Sequence, residues 1–336
     1  MAKHRVLIIG VGSIGERHLR CFDNTGRTEM AFCEINETLR TTIAERYGIT
    51  RVYPDLDTAI QDHHDAAVVS APAHLHIRLA TQVVDAGMHV LSEKPLSTSM
   101  DGVDDLVRAV NNKGLTAAVG YNWRCMPPLA DARQAIASGR FGAPIQLTLV
   151  SGNAFYHHRP AYREIYFASR DTGGGAIQDA MTHMINAGEW LVGPIDQLAA
   201  DASHQWLDGV DVEDTVHVMT RQGKVMGSYT MNLYQATNET TFIVNCEKAT
   251  VFIECHLSRW RWANEPDQPT QDVEYEPLER DELYMTQANA FLDSIEGKGK
   301  VRCTLEEGVQ TLRVNLATLK AADEHTWQAV RESGDA

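Results

Sequence analysis

The chain has 336 residues, 43% hydrophobic and 22% charged, enough for two domains with their own cores. A formal net charge of −15 argues against a nucleic-acid or anionic-membrane surface, which needs a basic stripe, while leaving room for a locally basic pocket. No apolar run approaches a membrane span, no signal peptide precedes the first strand pattern, and six scattered cysteines without a C-x-x-C read as reduced thiols of a cytoplasmic protein.

The first 120 residues alternate strand and helix. Strands are predicted at Arg5–Gly10, Glu29–Glu34, Ala66–Ser70, Met88–Ser92 and Leu115–Gly120. Helices are predicted at Ser13–Asn24, Glu37–Tyr47 (closed by Gly48), Leu56–Asp62 (capped by Asp55) and His74–Ala86 (stopped by Gly87), with another from Ser99 or Asp101 to Asn112. Apolar strands alternating with helices imply a parallel sheet covered on both faces.

Between the first strand and helix lies Gly10-Val11-Gly12-Ser13-Ile14-Gly15, a G-x-G-x-x-G turn. In this position the first glycine permits the tight turn, the second lets backbone approach a pyrophosphate, and the third lets helix and strand pack closely. Glu34, 19 residues beyond Gly15 at the next strand end, is placed to accept hydrogen bonds from an adenosine ribose. Its charge would repel a 2′-phosphate, so NAD is expected over NADP; Arg40 reads as a solvent-facing helix residue that is within reach of the same pocket. Ligands of doubly wound sheets sit at the carboxyl ends of the strands. The residues there are the glycine loop, Glu34, Ala71-Pro72-Ala73-His74, Glu93-Lys94-Pro95 and Tyr121-Asn122-Trp123-Arg124. Lys94 at a buried strand end is costly without a partner, which marks it as functional; Glu93 has a purely structural ion pair as its alternative.

Beyond Arg124 the pattern changes. A helix at Pro127–Ser138 and a strand at Ile145–Ser151 lead into 153–175, a long irregular segment rich in Tyr, His, Arg and Gly. Gly173-Gly174-Gly175 opens a helix at Ala176–Leu191, where Asp179 and His183 share a face at i, i+4; spacing alone also fits a surface pair with no chemistry. Hairpins are expected next at Val212–Thr220/Lys224–Leu233 and Thr240–Cys246/Ala249–Glu254, then helices at Glu282–Glu296 and Leu305–Glu324. This second part is expected to be α+β with a largely antiparallel sheet. In the irregular segment, Tyr162 and Tyr166 at i, i+4 and the forks of Arg159 and Arg163 suit a sugar or sugar acid; packing of the loop or an oligomer contact is the alternative. Trp260 and Trp262 read as interface or sheet-edge residues. The adjacent pairs His63-His64 and His157-His158 lack ligand spacing, and no metal is expected.

Taken together, Gly-Val-Gly-Ser-Ile-Gly at 10–15, Ala-Pro-Ala-His-Leu-His at 71–76, Glu-Lys-Pro-Leu at 93–96, Gly-Tyr-Asn-Trp-Arg at 120–124 and Gly-Gly-Gly-Ala-Ile-Gln-Asp at 173–179 with His183 resemble the glucose–fructose oxidoreductase/inositol dehydrogenase family. The resemblance implies an α/β protein with an N-terminal doubly wound parallel Rossmann sheet (1–124) and a C-terminal α+β domain with a largely antiparallel open sheet (125–336) for substrate and oligomer contacts. It implies a tightly held NAD(P), with NAD chosen by Glu34, a sugar, polyol or sugar-derivative substrate, with a sugar acid suggested by the basic loop, and oligomers packed through exposed sheet faces, expected as a homodimer or homotetramer. The implied catalytic residues are Lys94, Asp179 and His183. The expected cofactor contacts are Gly10, Gly12, Ser13, Ile14, Gly15, Glu34, Ala71, Pro72, His74, Glu93, Lys94, Asn122 and Arg124. The expected substrate contacts are Lys94, Tyr162, Arg163, Tyr166, Asp179 and His183. Met181 and Asn186 depart from the family pattern, which often has Gly and Asp there. The expected activity is hydride transfer between nicotinamide and a secondary hydroxyl. A redox-neutral sugar lyase or hydrolase with transient oxidation would use the same residues, and a catalytically silent NAD-binding regulator is the further alternative.

Overall fold

A computed structural model describes residues 3–330. The chain forms two compact units, one running up to Asn122 and including Glu279–Val309, the other made of Trp123–Leu278 and the chain from Gln310 on. The expected boundary after residue 124 is therefore crossed again later. The reason is the helix Arg280–Ile295, which packs on the helix Ser13–Asn24. Asp281 accepts from Arg17 Nε at 2.9 Å and Arg20 Nη2 at 2.8 Å, and Phe291 meets Phe22 edge-on. Periodicity predicts this helix without saying which sheet it covers.

The first unit holds six strands: β1 (His4–Ile9), β2 (Thr28–Cys33), β3 (Val52–Tyr53), β4 (Ala66–Val69), β5 (His89–Ser92) and β6 (Ala117–Val119). They are all parallel, in the order β3-β2-β1-β4-β5-β6. The order reverses between β1 and β4, so the helices after them lie on opposite faces and a crevice opens at their carboxyl ends. The apolar runs are buried on both faces: Val6, Leu7 and Ile8 of β1 and Ala66–Val69 of β4 are fully inaccessible.

The second unit holds β7 (Pro144–Ala154), β8 (Gln197–Ser203), β9 (Thr215–Gln222), β10 (Val225–Asn232), β11 (Tyr234–Cys246), β12 (Thr250–Glu254), β13 (Arg259–Ala263), β14 (Gln271–Glu274) and β15 (Gln328–Ala329), in the order β14-β13-β12-β11-β7-β10-β9-β8-β15. The pairing is antiparallel except between β7 and β10. Alternation works as expected on β9, where Val216, Val218, Thr220 and Gln222 point inward while Met219 on the other face is 57% exposed. Trp260 and Trp262 are not interface residues. They stack at 4.7 Å on the inner face of β13 and pack against Phe141, because two residues apart on a strand means one side of the sheet.

Candidate active site

In the first unit, β1 ends in Gly10 at φ +81°, a left-handed conformation that favours glycine. A Cβ on Gly15 would collide with the Gly10 carbonyl and Ser70 Oγ, so the helix Ser13–Asn24 starts tight against the loop. A Cβ on Gly12 would meet nothing within 4 Å, leaving open space beside the helix N-terminus where Ser13 and Ile14 begin the first turn. Glu34 closes the loop from the other side, with Oε2 accepting from Val11 N at 3.0 Å and Oε1 from Asn36 N at 2.9 Å. Arg40 is not merely solvent-facing: its Nη1 donates to the Glu34 carbonyl at 2.7 Å. A cavity of about 430 Å³ is lined by Gly10, Gly12, Glu34, Ile35, Ala71, Pro72, Leu75 and Arg78 among others. Glycine loop, acid and apolar walls together fit the adenosine and pyrophosphate of a dinucleotide. His74 does not line this cavity and is exposed, being in the short turn that leads into the next helix.

The histidine that matters structurally in that stretch is His76. It is buried, with Nε2 2.7 Å from the Ala71 carbonyl and Nδ1 2.9 Å from the Pro95 carbonyl, and it ties two strand-end loops together. Burial pushes its pKa down against the pull of the two carbonyls; a neutral ring donates to one of them at a time.

Glu93 is buried. Its Oε1 lies 2.7 Å from His18 Nε2, and its Oε2 accepts from Lys94 N at 3.0 Å. Burial raises the Glu93 pKa, but the His18 hydrogen bond and charge, the Lys94 charge and the backbone bond outweigh it and hold the carboxyl below its ordinary range. Gly120 makes this possible, since a Cβ there would sit 2.8 Å from Glu93 Oε1. The geometry shows the structural ion pair for Glu93, and the bond to Lys94 N fixes the backbone at half-buried Lys94. Asn122, also expected at the cofactor, is buried, its N–H donating to the Gly120 carbonyl.

In the second unit, the three-glycine turn packs where side chains would not fit: a Cβ on Gly174 would strike the Phe167 carbonyl, and one on Gly175 (φ +82°) the Glu213 carboxylate. Fully buried Glu213 anchors the start of the next helix, accepting from Ile177 N at 3.1 Å and Arg170 Nε at 2.8 Å. The predicted helix begins as a π-helix, Ile177–Met181, and continues as an α-helix, Thr182–Val192. Such widened turns recur at functional sites. Asp179 lies in the widened turn, buried, and accepts from the Tyr166 hydroxyl at 2.7 Å; Arg159 Nη1 donates to that hydroxyl at 3.2 Å. Burial, then the Asp179 charge, pushes the Tyr166 pKa well up, so the phenol stays protonated and donates. His183 lies one turn later, half-buried, its ring stacked on Trp123 at 5.4 Å and 13°.

Tyr162 and Tyr166 do not share a helical face. The segment between them is turn, not helix, and only Tyr166–Ala168 forms a 3₁₀ turn. Tyr162 is buried, its hydroxyl donating to the Asp208 carbonyl at 2.6 Å, and Arg163 is bound to the same carbonyl and to the Asp208 carboxylate. These two residues bond within the loop, while Tyr166 joins Asp179. Arg124 is buried in the second unit: its Nε donates to Asn186 Oδ1 at 2.8 Å and its guanidinium lies over the Trp190 ring. Asn186 in turn donates to Thr311 Oγ1 at 2.9 Å, so this position both accepts and donates, which an aspartate would not do. Met181 is fully buried core. Of the supporting residues, Glu213 carried no sequence signal, whereas His18, one helical turn after Gly15, was open to inspection.

Comparison with known proteins shows the family. Residues 4–121 match the model of an oxidoreductase family with an NAD-binding Rossmann fold, and residues 129–252 match the C-terminal domain model of the same GFO/IDH/MocA family; together they span more than half of the chain. The chain belongs to the GFO/IDH/MocA oxidoreductase family. It is therefore an NAD-binding oxidoreductase with the two-part architecture described above. Among curated relatives, a 1,5-anhydro-D-fructose reductase of Ensifer adhaerens is 28% identical over 83% of this chain and 84% of its own length. A levoglucosan dehydrogenase of Pseudarthrobacter phenanthrenivorans is 27% identical over 65% of this chain and 63% of its own. A solved levoglucosan dehydrogenase in complex with NADH and levoglucosan superposes with a TM-score of 0.89 at 22% identity, over 98% of this chain and 100% of that one, a likeness of fold. Among the described residues no helix is long and apolar enough to cross a membrane.

Proposed function

We propose that the chain is an NAD-dependent dehydrogenase acting on a secondary hydroxyl of a sugar, polyol or sugar acid, with Lys94, Asp179 and His183 as its catalytic residues. The observation that carries the reading is the helix start at 177–183, which presents a carboxylate held by a protonated phenol and, one turn on, a half-buried imidazole. NAD, when bound, supplies the hydride acceptor; Gly10, Gly12, Glu34, Ala71 and Pro72 would hold its adenosine and pyrophosphate, with Gly15 letting the helix pack tight against the loop. His183 takes the hydroxyl proton, as imidazole suits near neutral pH. Lys94 holds the substrate oxygen and favours alkoxide character. Asp179 binds a second hydroxyl, its charge steadied by Tyr166. The names of the curated relatives support the same substrate class. The exposed Met219 and Met226 on the outer sheet face support a homo-oligomer, and the thiol pattern a cytoplasmic location.

The test is His183→Asn. Turnover should be lost while NAD affinity stays within about twofold, since no cofactor contact is removed. Full turnover would overturn the assignment.

A further inference from the structure

Asn122–Cys125 forms a short turn whose two central side chains lie along one stripe of the helix Thr182–Val192. Trp123 stacks on His183, while Arg124 bonds to Asn186 and covers Trp190. His183, Asn186 and Trp190 are i, i+3 and i+7, a single face. The Arg124 end of this fastening is buried and continues inward through Asn186 and Thr311 to Glu189. The Trp123 end is half-buried, like His183 itself.

We propose that Trp123 is the positioning residue of His183, resting on the reading of His183 as the base. The near-parallel indole covers one face of the imidazole and fixes its plane, which leaves the ring edge to address a hydroxyl. When the imidazole takes up a proton, the indole face attracts the cation and raises its basicity. The backbone that presents Trp123 is held by buried Arg124, so the indole arrives pre-set. The charged and titratable groups around this stripe include Arg124, Arg133 and Glu189 behind it and Asp179, Tyr166 and Arg159 ahead of it. All are retained when Trp123 alone is changed.

The experiment is an NMR titration of the His183 imidazole in the full-length protein, with the resonance assigned by its absence in His183→Asn. It needs no substrate. Trp123→Leu should lower the His183 titration midpoint by up to about one pH unit, and Trp123→Phe, which keeps a ring face, should recover more than half of that. Both variants should keep the wild-type thermal midpoint to within a few degrees, because the Arg124 anchorage is untouched. An unmoved midpoint in Trp123→Leu, or a Phe variant no better than Leu, overturns the proposal. Loss of turnover in His183→Asn is read separately, so failure of the base assignment and failure of the Trp123 role are told apart.

Discussion

Glu189 offers a stability prediction grounded in geometry. Its carboxyl is buried in the second unit, with Oε1 accepting from Ile195 N and Gln310 Nε2 and Oε2 from Thr311 Oγ1. Burial outweighs these bonds and the Arg124 charge and pushes its pKa to about 7, against an ordinary value of 4.5. Below pH 4.5 both folded and unfolded chains hold the proton. Between 4.5 and about 7 the unfolded chain releases it while the folded chain keeps it, so stability falls as pH rises; above 7 the full cost is present. At 1.36 kcal/mol per pH unit the loss is about 3 kcal/mol. Glu189→Gln keeps the acceptor for Ile195 and Gln310 and turns a donor toward Thr311, removing the charge without removing the bonds. All six tryptophans lie in the second unit, so tryptophan fluorescence reports its unfolding. The wild-type thermal midpoint should fall between pH 5 and pH 8 by about 6–12 °C more than that of Glu189→Gln. Parallel pH profiles for the two proteins would refute the reasoning.

Three further outcomes are expected. Gly15→Ala forces its methyl into the Gly10 carbonyl and should weaken NAD binding about 10- to 100-fold by calorimetry, wild-type affinity counting against the loop geometry. The Glu34 carboxylate should favour NAD over NADP by at least about tenfold in dissociation constant, and equal affinities would show its role misread. His18→Leu should cost about 3 kcal/mol at pH 7 by denaturant unfolding, because it removes the side-chain donor to the buried Glu93 carboxylate. The Glu93 pKa is depressed in the wild type, so its contribution is present above pH 4.5 and lost as pH falls through the folded value; the gap between variant and wild type should close on acidification, and an equal loss at pH 4 would contradict the pairing.

The first unit was largely legible because its elements announce themselves locally. The helices Ser13–Asn24 and Glu37–Tyr47 begin and end where the glycine turn and the Gly48 stop place them. Strand ends in a parallel sheet also converge on one crevice whatever the details, so Gly10, Glu34 and Ala71 could be placed from sequence. What escaped was long-range. β8 carries a single fully buried apolar residue, Leu198, and so no alternation to read. The helix Arg280–Ile295 has a clear helical pattern, but its partner is more than 250 residues away. At the candidate site, Glu93, Tyr162 and Arg124 were read as ligand contacts, and the protein groups they bond to, His18, Asp208 and Asn186, were not legible in the sequence. Residue type marks a group that needs a partner, and only the folded chain says which partner it takes.

The central claim is net oxidation of a sugar-like carbinol. The direct measurement mixes dialysed protein with excess NAD and a panel of sugars, polyols and sugar acids, and tracks the absorbance of reduced nicotinamide alongside mass spectrometry of the substrates. NADH that accumulates with one substrate class, and fails to do so with His183→Asn, is the predicted result. A substrate consumed with no NADH would replace the dehydrogenase by redox-neutral chemistry, and bound NAD with the whole panel untouched would contradict the account in favour of a silent binder.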